Sequence, residues 1–328
     1  MKCSSEGKFI VRAPWYGTDV QKREARVGVG IGSQIVALVL VSGLGGSTMG
    51  CRRSYVLFDD FTYASTSELA PHGWIMRTAP GWPGVKGTAW GTESFSLHDD
   101  PALAKNRILR MSSVTHGAAS TRQSQICHQR KYLEGTYAAR VRFTDDAVSG
   151  RDGDQIVETF YFISPLKAPM DPDYSEIDFE YLPNGGWGRA EPTMRGTTWE
   201  TFQAEPMIDD NITGKMAGSL AGWHTLVAQV AGGRVRYFVD GNPLAEHGDK
   251  FYPEVPMSIN FNLWFIEEGL LAGSEQRRYE EDIDWVFFRR DEVLSTQAVE
   301  SAVAELRRDH VTFRDTVPSS GLPSPCDF

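Results

Sequence analysis

Glu176, Asp178 and Glu180 alternate with Ile177 and Phe179 in the run YSEIDFEYL, and in an extended strand side chains two apart point to the same face. The spacing predicts three carboxyls in a row on one side of a strand. Like charges so placed repel, and strands are ordinarily poor in Asp and Glu, so the row carries a cost that a merely solvated edge would not explain. Glycosidic bond cleavage needs such a row, because one carboxyl protonates the leaving oxygen while another attacks or supports the anomeric carbon. Glu176 reads as the nucleophile and Glu180 as the acid/base. Asp178 between them helps hold one end protonated, since crowded carboxylates cannot all ionise cheaply. Glu180 is therefore expected to titrate high and Glu176 low. Four strand steps span about 13 Å between Cα atoms, whereas a retaining pair wants carboxyls about 5 to 5.5 Å apart. The two side chains must lean together over a curved sheet.

The elements that would position these groups are β-rich. Strands are predicted near 55 to 62, 107 to 113, 135 to 143, 156 to 163, 176 to 182, 225 to 230, 234 to 239 and 257 to 264, from alternation bounded by turn residues. Leu182-Pro183-Asn184-Gly185-Gly186 ends the acidic strand, and Asp240-Gly241 supplies a second turn. One helix is predicted over 297 to 308, where Val299, Val303 and Leu306 recur at helical spacing behind Ser295 and Thr296 as caps.

The acidic run resembles the signature of glycoside hydrolase family 16: Glu, an aliphatic residue, Asp, one or two apolar residues, then Glu. Further blocks follow in the family's order: Trp223-His224-Thr225, VRYFVDG ending at Gly241, NFNLW at 260 to 264 and DIDWVFF at 282 to 288. Together they cover roughly residues 55 to 290. The resemblance implies an all-β jelly roll of two antiparallel sheets with a concave substrate cleft, retention of anomeric configuration, and the same three carboxyl roles. The single residue Phe179 between Asp178 and Glu180 matches members with a regular strand, such as lichenases, xyloglucan-active enzymes and fungal cell-wall transglycosylases. Laminarinase-like members carry an extra residue there, which forms a bulge. Two departures bear on substrate. LVAQV follows the His-Thr pair where lichenases place a Trp a few residues on, and the loop from 183 to 196 is longer and Gly-rich.

Sugar clefts use aromatic faces and a few polar groups. Trp187 in the Gly-rich loop, Trp199 on the following strand, and Trp264 and Asn262 in the NFNLW block are the substrate-binding candidates, with His224 in a minor binding role. The reaction requires no cofactor. Some family members hold a structural calcium on the convex side, for which Asp59, Asp60 and Asp284 are available oxygen ligands.

Net charge is −10, with 32 Gly, 17 Pro and 11% aromatic residues, a composition suited to an extracellular all-β domain. The charge gives no basis for nucleic acid binding and disfavours an anionic polysaccharide. A neutral polysaccharide is the expected partner, and no protein partner is implied. The basic run Lys22 to Arg26, followed by the apolar stretch 27 to 44 and small residues, reads as a signal peptide. Cys51 in STMGC then marks either a bacterial lipoprotein site or the vicinity of simple cleavage near Gly50. The mature chain is expected outside the cell, secreted or lipid-anchored to the outer face of a bacterial membrane. No CxxC occurs, so zinc is not expected. In an oxidising compartment Cys127 and Cys326 are the natural pair, and unpaired buried thiols are the other reading.

The expected organisation is an extension and signal peptide over 1 to 50, a catalytic domain over 51 to 295, and a helix and tail over 296 to 328 packed on the sandwich. The expected activity is a retaining endo-β-glucan hydrolase acting on β-1,3-1,4- or β-1,3-glucan by double displacement. The alternatives are a transglycosylase on β-glucan, xyloglucan or chitin, and a non-catalytic glycan-binding jelly roll.

Overall fold

The computed structural model describes residues 54–117, 119–323 and 326. The expected leader and Cys51 lie outside them. The described chain is a β-jelly roll whose pairings are antiparallel except that of Ala89–Trp90 with Thr121–Cys127.

One sheet runs Ile208–Ala217, Thr193–Gln203, Glu176–Leu182, Ile156–Ile163, Ser258–Phe265, Thr121–Cys127 and the short Ile75–Met76. The other runs Asn242–Gly248, Arg234–Val239, Gly222–Ala231, Gly135–Phe143 and the long Arg277–Arg290. Val56–Asp59 and Arg107–Thr115 both pair with Arg277–Arg290, and Phe313–Asp315 adds to the first of them. Thr121–Cys127 also touches Arg107–Thr115, stitching the sheets together.

Alternation explains how the acidic strand is held. Ile177, Phe179 and Tyr181 are fully buried between the sheets, so the three carboxyls turn to the opposite face. Phe179 stacks 6.2 Å from Phe160, and Phe160 lies 5.0 Å from Phe261. Three rings on three neighbouring strands thus pin the register beneath the site. Each contributes about 1.5–3 kcal/mol by burial, and a one-residue slip would drive the carboxyls into that core.

The strands predicted at 156 to 163, 176 to 182 and 234 to 239 are Ile156–Ile163, Glu176–Leu182 and Arg234–Val239. The one predicted over 55 to 62 stops at Asp59, whose carboxylate accepts from the Phe61 amide at 2.9 Å while Phe61 turns the chain at φ 55°. Ile208–Ala217 had no apolar alternation to announce it, because it lies at the edge of its sheet with no residue fully buried.

The predicted helix is Thr296–Arg308, capped by Ser295, whose hydroxyl accepts from the Ala298 amide at 3.2 Å. Val299, Val303 and Leu306 pack on Phe58, Ala138, Val227, Trp285 and Phe287, covering the outer face of the second sheet. Beyond the helix, Cys326 is disulfide-bonded to Cys127, 199 residues away in sequence. Closing so long a loop restricts the unfolded chain, so replacing both cysteines with alanine is expected to lower stability by about 2–4 kcal/mol. The measurement is the urea midpoint, and an unchanged midpoint would show that the link contributes nothing.

Candidate active site

The acidic strand pairs without a bulge on both sides, as its single residue between Asp178 and Glu180 predicted. Glu176 lies opposite Ile163 and Trp199, Asp178 opposite Tyr161 and Thr197, and Glu180 opposite Thr159 and Arg195. Directly opposed residues share a face, so each carboxyl has its own pair of flanking side chains. The three carboxyls form the floor of a cleft of about 550 Å³.

Asp178 is only 4% exposed and accepts from Trp199 Nε1 at 2.8 Å. Tyr174 OH donates to Glu176. Thr197 Oγ1 donates to Glu180 at 3.3 Å, and Arg195 Nε stands 3.6 Å from the same carboxyl oxygen. Loss of water raises all three above the ordinary carboxyl range. Asp178 is raised well above it, through burial and then the charges of Glu176 and Glu180 on either side. Glu176 is pushed up to about 7, by burial first and by the Glu180 charge, against the hydrogen bonds from Tyr174 and Asp178. Glu180 is also raised by burial, but Arg195 and Thr197 hold it back.

This corrects the order read from the sequence. Burial raises all three carboxyls, and at Glu180 alone a neighbouring cation opposes it. Spacing alone could not show that Glu180 has a cation beside it.

Aromatic side chains wall the cleft on both sides of the triplet. Trp264 sits 6.2 Å from Trp82 and 6.1 Å from Trp187. Tyr174 and Trp199 meet Phe202 at 5.4 and 5.8 Å. Trp187, Trp199, Trp264 and Asn262 all line the cleft, and Asn262 carries a buried side-chain oxygen with no partner. Tyr161, one strand over from Asp178, accepts from Gln125 at 2.8 Å.

His224 is not among the lining residues. It belongs to Gly222–Ala231 in the other sheet, where its ring bonds Asp240 at 2.6 Å and stacks on Phe143. Its role is to fasten the turn at Asp240, and the binding role expected for it does not survive. The calcium ligands do not converge either. Asp59 accepts from Tyr63 OH and Trp74 Nε1 at 2.6 and 2.8 Å. Asp60 stands 3.7 Å from Arg307, and Asp284 meets Arg307 and Arg140 at 2.6 and 2.8 Å. At Asp60 and Asp284 the neighbouring positive charge is a guanidinium. Among the described residues no group of three or more His, Cys, Asp or Glu side chains could hold a metal ion.

Tyr174, Tyr161, Trp82, Phe202 and Arg195 line the cleft without having been singled out in the sequence. Tyr174 was the most accessible, standing two residues before Glu176, to which its hydroxyl donates.

No family model matches the sequence, and no curated protein matches it. Solved structures do. A family 16 endo-glucanase from Bacteroides ovatus shares 15% identity over 70% of this chain and 98% of its own, at a TM-score of 0.53. A lichenase from a mouse hindgut metagenome shares 17% identity over 71% and 98%, at 0.50. LamAcat from Zobellia galactanivorans shares 12% over 73% and 98%, at 0.51. Each of these chains is matched along nearly its whole length, and what the match concerns is architecture: the chain has the glycoside hydrolase family 16 fold.

Proposed function

We propose that the chain is a retaining, endo-acting glycoside hydrolase of a neutral β-glucan, working outside the cytoplasm. The observation that carries this is the row of three carboxyls on one face of an unbulged strand, along the floor of an aromatic-walled cleft. A glycan-binding module gains nothing from three adjacent carboxyls pushed above their ordinary range.

In the first step the Glu176 carboxylate attacks the anomeric carbon as the glycosidic C–O bond breaks, and Glu180 gives its proton to the departing oxygen. In the second, water attacks the same carbon, Glu180 takes the water's proton, and the bond to Glu176 breaks. Glu176 must therefore be ionised while Glu180 is protonated. That state has the same net charge as one with the proton on Glu176. Filling the cleft with substrate strips water from the half-buried Glu180 and so favours its protonated form. Burial and the two flanking charges favour the protonated form of Asp178, which holds Glu176 by a hydrogen bond.

Asp209, Glu267 and Glu268 add further acidic groups to the cleft lining, around one arginine, Arg195. That balance, with a net charge of −10, favours an uncharged polymer. Aromatic residues on both sides of the triplet suit a chain that runs through the site, hence internal cleavage. The leader, which lies outside the described residues, supports export.

The test is digestion of mixed-linkage β-glucan, laminarin and xyloglucan, with products read by mass and linkage and the first-formed anomer read by NMR. Internal fragments released first as the β-anomer are expected. An α-anomer formed first, or no product from any neutral glucan, would overturn the proposal.

A further inference from the structure

Arg195 sits directly opposite Glu180 in the strand register, with its guanidinium 4.8 Å over the ring of Trp187. Trp187 stands in the turn between these two strands at φ 47° and is 45% exposed to the cleft. Stacking on an indole holds a guanidinium flat and limits its swing. Yet Arg195 Nε is buried and has no hydrogen-bond acceptor. The carboxyl oxygen in front of it, Glu180 Oε2, stands at 3.6 Å, just beyond bonding range. A buried donor left short of an acceptor gains by closing the gap, and gains most when the acceptor is a carboxylate. In the reaction proposed above, Glu180 becomes a carboxylate as the glycosidic bond breaks.

We propose that Arg195 is a positioning residue for the acid/base: clamped against Trp187, it closes on Glu180 as that group gives up its proton, so that the sugar-facing indole and the proton donor move as one unit. The inference rests on the hydrolase reading for its role in turnover. The contact itself can be tested without it.

The groups that act on Glu180 are few. On its own strand stand Asp178 and Glu176, and the neighbouring strand Thr193–Gln203 adds Arg195 and Thr197. Ile156–Ile163 presents Thr159 and Tyr161, and Ile208–Ala217 places Lys215 opposite Arg195. Arg195 is thus the cation whose guanidinium reaches Glu180, with Lys215 one strand further out.

The experiment is a carboxyl ¹³C NMR titration of the full chain, with the Glu180 signal identified by its loss in Glu180→Gln, in parallel with pH profiles of kcat/KM on unactivated glucan. Removing a cation this close should raise the Glu180 midpoint in Arg195→Met by about one pH unit. The pH profile should shift upward with it, and kcat should fall about tenfold with a smaller change in KM. Arg195→Lys, which keeps the charge, should recover most of the midpoint. An unmoved Glu180 midpoint in folded Arg195→Met overturns the proposal, and so does a rise in KM with the pH profile fixed. If the midpoint moves but no glucan is ever cleaved, the link between Arg195 and Glu180 stands and the hydrolase reading falls.

Discussion

Glu176→Ala is expected to lose about 10⁴-fold or more of its turnover on any β-glucan, and azide is expected to restore a reaction that yields the glycosyl azide of inverted configuration. The vacated space lies on the cleft floor beside Tyr174, whose hydroxyl loses its acceptor. A small anion can enter there, accept that hydrogen bond and attack the anomeric carbon in place of the carboxylate. Product configuration by NMR decides the matter. An activated substrate giving no azide adduct, with the fold intact, would remove Glu176 from the nucleophile's role.

Glu180→Gln should collapse natural glucan cleavage by about 10²- to 10⁴-fold, because the leaving sugar oxygen finds no proton. An aryl glycoside with a good leaving group needs none, so its glycosylation step should persist. The pH profile on that substrate carries a second, signed expectation. Ionised Glu180 is one of the causes that lift Glu176 to about 7. Without that charge Glu176 ionises more readily, so the single limb that remains should lie below about pH 7. The basic limb, which reports loss of the coupled pair's last proton, should vanish. Full activity on polysaccharide with both limbs retained would mean that Glu180 is not the acid.

Much of this site was legible in the sequence because its central element is local. A single strand supplies all three carboxyls, and the period of two fixes their common face whatever surrounds them. The partners required more. Arg195, Thr197 and Trp199 oppose Glu180, Asp178 and Glu176 in turn, and counting outward from the Trp187-Gly188 centre of the connecting turn would have paired them. Without knowing where the turn was centred, that count could not begin. Tyr161 was hidden for another reason. Every residue of Ile156–Ile163 is buried, so the strand shows no alternation to separate its cleft face from its core face. Trp82 reaches the cleft from a distant loop, and nothing local announces that. His224 misled because its block marks the fold and not the site; its strand lies in the opposite sheet.

The three carboxyls are held above their ordinary values by the protein around them. A group raised in this way supports folding below its ordinary pKa and weakens it as pH rises through the shifted value. For Glu176 that window runs from 4.5 to about 7. At neutral pH the sandwich therefore carries these carboxyls as a burden on its own stability. Losing the carboxyls would lift that burden only in part, because the Tyr174 hydroxyl and Trp199 Nε1 would be left without their acceptors.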